Sequence, residues 1–443
     1  MTQTAMRTVL TLLVSVVAFS GIASAQPLSR ADAVAQALDA NPTVKLSLEQ
    51  VLRLEGRITE AKADALPDIT WNTIAVRSRD PGLLNSPNFD EFPGEFRDAL
   101  RPLPGNLFST AADIRQTIFS FKLGKALEAA KVARGAGVHE VQRARQQLAL
   151  DTIRAYNQLL FALEQLRVIQ ANVQSTQTHV DYARNRRTAG VATELEVLRA
   201  EVDLENARAE ALRAENDVSG ARALLNTVML HPTMAPIVPS DSLAVVPFSA
   251  EYDQAVKEAM SARPDLQLLK TNEQVQSLLV GVAAGDAKPS VEFNGAYGYA
   301  VRRPNNLFTQ SFARWSGSIN FKVPLFDGNR TGGRVAQARA ERNTVTHQIA
   351  ALENQIRLEV HTALDALALA NRTMQAAELN VTQARRVSEM TEANYKLGAA
   401  TQLDVVDALQ SLRQAENIRN LSLYTHANAR AALRFVMGRS PLD

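Results

Sequence analysis

From about Leu123 to Arg186 the chain has no proline and carries a single apolar seam: Ala155, Leu159, Ala162, Leu166, Ile169, Val173, Thr176, Val180 and Ala183 follow one another at alternating steps of four and three. That spacing belongs to a helix lying along another helix. At about 1.5 Å per residue such a rod reaches roughly 95 Å. A helix of that length cannot fold back into a compact domain, so it must pack lengthwise against other rods.

A second such run, about Gly333 to Asn394, carries Ile356, Val360, Ala363, Leu367, Ala370, Met374, Ala377, Val381 and Ala384 at the same steps. The two runs share a register. Residues 363, 367, 370, 374 and 381 lie 208 positions beyond Ala155, Leu159, Ala162, Leu166 and Val173. The same offset relates Gly190, Thr193 and Glu196 to Gly398, Thr401 and Asp404, and Val228-Met229 to Val436-Met437. The chain is a duplication. The stretches 187–193 and 395–401 each read as a tight turn between long helices, with a glycine able to take positive φ and a threonine placed to cap the helix that follows.

Residues 1–25 contain Arg7, an apolar run from Val9 to Phe19 and the small residues Ala23-Ser24-Ala25, the layout of a cleavable secretory signal. The first repeat is then 26–229 and the second 230–443. Within the first, Leu28 to about Asp64 reads as one helix with Ser29 as N-cap, residues 68–79 as an extended segment, Asp80 to Asn106 as a Pro/Gly/Asn-rich loop, and 108–119 as a strand. In that strand Phe108, Ala112, Ile114 and Ile118 alternate with Ser109, Asp113, Arg115 and Thr117. The second repeat opens with a linker and helices over 230–285, interrupted at Arg263-Pro264-Asp265. Two further strands follow, 290–301 and 314–325, the first placing Val291, Phe293, Tyr297, Tyr299 and Val301 opposite Ser290, Glu292, Asn294, Ala296 and Gly298. Trp71, Tyr297, Tyr299 and Trp315 are the strand aromatics suited to a membrane interface.

No segment after the leader offers the roughly 18 consecutive apolar residues of a spanning helix, whereas strands of this length can cross a bilayer when tilted. Four strands cannot close a barrel, and an open edge is forbidden in lipid. Two chains would pool eight strands around a filled interior and three would pool twelve around a water-filled lumen; the small and polar inner faces favour three. The rods of such an assembly would continue the barrel as a helical conduit.

Only 5% of residues are aromatic, which suits narrow helical seams. The formal net charge of +2 leaves no electrostatic footprint for nucleic acid. There is no cysteine, hence no disulfide, thiolate site or cysteine-linked lipid anchor. The six histidines lack ligand spacing, and no G-x-S-x-G, H-E-x-x-H or phosphate-cradling loop occurs, so no enzyme, cofactor or metal centre is expected. The rival from another class is a periplasmic tethering coiled coil without a pore, with the alternating segments as soluble hairpins.

Several short stretches carry a resemblance: Leu28-Ser-Arg-Ala-Asp-Ala-Val34 through Asn41-Pro42, Ala65-Leu66-Pro67, Ala262-Arg263-Pro264-Asp265-Leu266, Val323-Pro324-Leu325-Phe326-Asp327-Gly328, and the two glycine tips. In this order, on a duplicated chain with a leader, they resemble the TolC-like outer-membrane efflux proteins over nearly the whole mature length. The resemblance implies a mainly α protein with a small transmembrane β part. Its helical hairpins would form a periplasmic α-barrel, and four strands per chain would enter a shared, trimeric 12-stranded β-barrel. It implies a passive exit duct in the outer membrane, joined through a periplasmic adaptor (membrane fusion) protein to an inner-membrane pump of RND, ABC or MFS type. By the same resemblance, Asp404 and Asp407 would line the periplasmic entrance. Tyr395 would help close it by bonding Glu196, although Ala400 stands where a basic residue is expected. Gly190 and Gly398, with Thr193 and Thr401, would receive the adaptor's hairpins.

Overall fold

A computed structural model describes residues 27–79, 81, 88–95 and 104–442. The leader at 1–25 and much of the 80–106 loop lie outside the described residues. The elements are β1 (Pro27–Leu28), α1 (Arg30–Ala40), α2 (Pro42–Ala63), β2 (Asp68–Ser78), β3 (Gly105–Ser120), α3 (Phe121–Thr188), α4 (Glu194–Met229), β4 (Val238–Pro239), α5 (Tyr252–Ala262), α6 (Pro264–Gly285), β5 (Ser290–Val301), β6 (Ala313–Lys322), α7 (Arg330–Lys396) and α8 (Gln402–Val436). The protein is thus mainly α with one small antiparallel sheet, as the periodicities require.

The duplication is visible in the element lengths. The long helices α3 and α7 have 68 and 67 residues, and the return helices α4 and α8 have 36 and 35. The seam residues Ala155, Leu159 and Ala162 are buried, as are Leu367, Ala370 and Met374 in the other copy.

The expected single helix over 28–64 is two helices. Ser29 caps the first in a capping box with Asp32, and Asn41 then leaves the helical region with φ −67° and ψ 129°. Pro42 is the reason: its ring disfavours helical backbone at the preceding residue, and its missing N–H costs nothing at the first position of α2. The same rule separates α5 from α6, where Arg263 precedes Pro264 with φ −68° and ψ 122°.

The described residues divide into two compact units, one drawn from 27–47, 141–264 and 353–442, the other from those within 48–140 and 265–352. Each draws segments from both repeats. In the first unit, Ala33, Ala37, Val44, Tyr156, Leu159, Leu225 and Met229 form the main apolar cluster. The short parallel pair β1–β4 brings Leu28 beside Pro239. Tyr156 Oη donates to the Leu28 carbonyl at 2.7 Å, and the Asp241 carboxylate accepts from the Arg30 amide at 2.6 Å.

The second unit holds the four-stranded sheet, ordered β2-β3-β5-β6 and antiparallel throughout. Its register places Trp71, Ala112, Tyr297 and Trp315 on one rung, and Thr73, Thr110, Tyr299 and Ala313 on a neighbouring rung of the same face. The opposite face carries Thr70, Asp113, Ala296 and Ser316, then Asn72, Ala111, Gly298 and Arg314. Asn72 Nδ2 donates to Asp113 Oδ2 at 2.7 Å on that face.

Two details depart from simple alternation. A bulge between Thr117 and Phe119 leaves Ile118 unpaired, and Phe119 takes the apolar rung opposite Val291; an extra residue shifts the faces beyond it. The last strand ends at Lys322 rather than 325, because Pro324 has no N–H for the ladder. Val323 and Leu325 therefore lie outside the strand. The outer edges of β2 and β6 have no partner strand in the described chain.

Candidate functional site at the helical tips

Both tips lie in the first unit and are built alike. Gly190 and Gly398 have φ of +76° and +79°. At the first tip the Val191 amide donates to the Arg186 carbonyl at 3.0 Å and the Gly190 amide to the Arg187 carbonyl at 2.9 Å. At the second, Ala399 donates to Asn394 at 2.8 Å and Gly398 to Tyr395 at 3.0 Å. This paired pattern ends a helix while satisfying its last carbonyls, and it needs a left-handed residue at the glycine position. No atom comes within 4 Å of a Cβ built at either glycine, so the dihedral alone selects glycine here.

Each return helix is capped by the expected threonine. Thr193 Oγ1 accepts from the Glu196 amide, and Thr401 Oγ1 from the Asp404 amide. Asp404 completes the second cap: its Oδ2 accepts from the Thr401 amide and from Thr401 Oγ1, each at 2.7 Å. These bonds hold the Asp404 carboxyl below the ordinary aspartate range, the hydroxyl of Thr401 acting most strongly. Asp404 and Asp407 are exposed and flank the buried Val405 and Ala408, so they share one outward strip. The 208-residue offset puts Glu196 and Arg199 at these positions in the first repeat, so the doubled carboxylate exists only at the second tip.

Tyr395 is 6% exposed. Its ring meets that of Tyr182 edge to face at 5.6 Å, and the Arg186 guanidinium lies over both rings, 5.2 Å from Tyr395 and 5.9 Å from Tyr182. Among the described residues, Tyr395 makes no hydrogen bond to Glu196. The half-buried Glu196 is instead reached by Gln402, whose Nε2 donates to the Glu196 carbonyl at 3.3 Å. A second bridge between the repeats pairs Arg413 of α8 with Glu210 of α4. Within each hairpin, Arg184–Glu201 at 2.7 Å, and Arg385–Glu416 and Arg419–Glu378 at 3.1 and 2.7 Å, hold the helices together.

Beside these bridges α3, α4 and α8 line a half-open cavity of about 370 Å³, with His179, Asp203, Glu210 and Arg413 among its walls. Burial pushes the His179 pKa down and the Asp203 pKa up, so both groups resist charging there. The sequence did not single out Gln402, Arg413, Glu210, His179 or Asp203. Gln402 and Arg413 meet Glu196 and Glu210 across some 200 residues, and no local pattern marks any of the five. The four strand aromatics lie in the other unit, with Trp71, Tyr297 and Trp315 on their shared rung and the Tyr297 and Tyr299 rings 6.1 Å apart.

No described helix is long and apolar enough to cross a membrane. Among the described residues no group of three or more His, Cys, Asp or Glu is placed to hold a metal ion.

The sequence model of the family described as "Outer membrane efflux protein" matches residues 33–229 and 255–439, one segment for each repeat. The outer membrane protein OprJ of Pseudomonas aeruginosa is 24% identical over 394 residues, covering 85% of this chain and 77% of OprJ. The outer membrane protein TolC of Vibrio cholerae is 20% identical over 368 residues, covering 82% of this chain and 84% of TolC. Among solved structures, the Campylobacter jejuni CmeC outer membrane channel superposes with a TM-score of 0.77 at 18% identity, over 94% of this chain and 87% of CmeC.

Proposed function

Because the chain belongs to the outer membrane efflux protein family, we propose that it is the passive exit duct of a tripartite efflux or type I secretion assembly, working without catalysis. Three copies pool their strands into one 12-stranded barrel in the outer membrane. A periplasmic adaptor (membrane fusion) protein docks at the tips around Gly190, Thr193, Gly398 and Thr401 and links the duct to an inner-membrane pump of RND, ABC or MFS type. At the periplasmic entrance Asp404 and Asp407 form acidic rings. Tyr395, packed with Tyr182 and Arg186, and Glu196, held by Gln402, are parts of the closure.

The observation that carries this reading is the sheet: one apolar and one polar face, with two unpaired edges. Open edges cannot lie in lipid, so the strands must be completed by other chains. On the apolar face, the rung containing Trp71, Tyr297 and Trp315 stands six residues along β6 from the rung of Phe119, Val291 and Phe321. At about 3.3 Å per residue that is roughly 20 Å, near the ~25 Å apolar band of an outer-membrane barrel between its aromatic girdles.

Purified full-length protein in a planar bilayer tests the proposal. It should give discrete channels blocked by divalent cations added from the tip side, and Asp404→Asn with Asp407→Asn should relieve the block. Channels without such block would remove the carboxylate rings and keep the duct. No channels, with the protein recovered free of membranes, would leave the tethering coiled coil as the better reading.

A further inference from the structure

A small cavity in the first unit is lined by two arginines that lack a counter-ion. Arg30, at the start of α1, and Arg430 of α8 share a space of about 50 Å³ with Asn157 of α3 and Ser242, and Ile153 and Ala431 form its apolar side. Among the described residues neither guanidinium makes an ion pair, and the Arg30 Nε is buried with no hydrogen-bond partner. A buried donor of this kind calls for an acceptor. The nearby Asp241 carboxylate is engaged instead with the Arg30 backbone amide, at 2.6 Å, and Tyr156 offers only its ring, 5.6 Å from the Arg30 guanidinium.

The field at this spot is positive. Burial, Arg30 and Arg434 together hold the Arg430 pKa below the ordinary arginine range. His426, fully buried beside the wall residue Ala427, is pushed toward its neutral form by burial and by Arg430. Two groups thus resist positive charge in one place. Asn157 is 1% exposed; its Nδ2 donates to Asn428 Oδ1 at 2.9 Å, which leaves its own Oδ1 without a partner. If both amides turn over, the bond between them is kept and Asn157 presents an N–H where the orphaned oxygen stood. The cavity then offers donors only: two guanidiniums, an amide and the Ser242 hydroxyl.

We propose that this cavity binds one small monovalent anion of halide size, held between Arg30 and Arg430 with Asn157 and Ser242 as further donors. Size and sign set that class. The space takes about one or two water-sized groups, which excludes an organic phosphate or a lipid headgroup, and charge-assisted bonds from paired arginines suit an anion. The ion relieves the repulsion between the two arginines and joins α1, α3 and α8 within the first unit.

Crystals of the full-length protein grown in sodium bromide should show an anomalous bromine peak between Arg30 and Arg430. In detergent solution, replacing gluconate, which is too large for the cavity, by bromide at constant ionic strength should raise the unfolding midpoint saturably, by about 2–4 °C. Arg430→Gln removes one of the two repelling charges. It should unfold in gluconate at least as high as the unaltered protein and gain nothing from bromide. An equal gain in the variant, or a cavity without bromine in the unaltered protein, would overturn the site. A peak with no change of midpoint would mark an adventitious ion only and equally sink the proposal. Asp443, outside the described residues, follows Leu442, which packs against Ile153 and Ala431. Bromine that enters only in Asp443→Asn would refute a free anion, the counter-charge then being a carboxylate of this chain.

Discussion

Replacing Arg413 and Gln402 by alanine removes two polar bridges that join the repeats at the tips, the ion pair to Glu210 and the hydrogen bond to the Glu196 carbonyl, and leaves the packing of Tyr395 against Tyr182 and Arg186 in place. The Arg413 and Glu210 side chains are 27% and 42% exposed, so the pair contributes only about 0.5 kcal/mol after screening. The hydrogen bond adds a further ~0.5–1 kcal/mol. If the tips part on opening, each chain loses about 1–1.5 kcal/mol of closed-state preference, a shift of roughly five- to ten-fold. In the proposed trimer, concerted opening of the three chains compounds this to roughly 100- to 1,000-fold. Single-channel open probability in planar bilayers separates the cases, and Arg413→Glu combined with Glu210→Arg should recover part of the closed population. Unchanged open probability in a correctly folded double variant would refute the reasoning, for these bridges would then not distinguish closed from open.

The bonds from Thr401 depress the Asp404 pKa, so their stabilisation of α8 is complete above about pH 4 and is lost as pH falls through the lower folded-state value; in Thr401→Ala, a carboxyl NMR titration should find Asp404 closer to the ordinary aspartate range. Arg263 is 7% exposed and pairs with Glu359. Arg263→Met should cost about 1–3 kcal/mol in denaturant unfolding by removing the cation from the half-buried Glu359, which among the described residues keeps only the Gln355 amide at 2.8 Å, with Arg263→Met plus Glu359→Leu costing less than the single change. A Cβ at Gly298 would fall 2.1 Å from the Thr110 carbonyl oxygen and 2.5 Å from the Ala111 Cα, whereas one at Gly317 meets nothing within 4 Å. Gly298→Val should therefore sharply lower the channel activity per mole of purified protein in planar bilayers, while Gly317→Val retains it.

Much of the fold was legible because its signals are local and repeated. The 4-3-4-3 seams gave both long helices to within a few residues, and the 208-residue offset identified both tips with their glycines and threonine caps. Boundaries failed where one residue outweighed a pattern: Pro42 divided the first helix, Pro324 shortened the last strand, and the extra residue Ile118 moved Phe119 onto the apolar face. At the tips, the sequence could name Tyr395 and Glu196 only through a family likeness. Their actual neighbours, Tyr182 with Arg186 and Gln402, are set by packing between distant helices, which periodicity does not encode.

The bare edges of β2 and β6 also bear on how such a protein is made. A lone chain that entered lipid would expose two rows of unsatisfied amides and carbonyls, at several kcal/mol for each group. Insertion of a single subunit is therefore blocked, and chains must meet before or while they enter the bilayer. Biogenesis then becomes a steeply concentration-dependent reaction. A modest fall in the supply of exported chains should lower the number of finished pores disproportionately, with the unassembled subunits left to periplasmic chaperones and proteases.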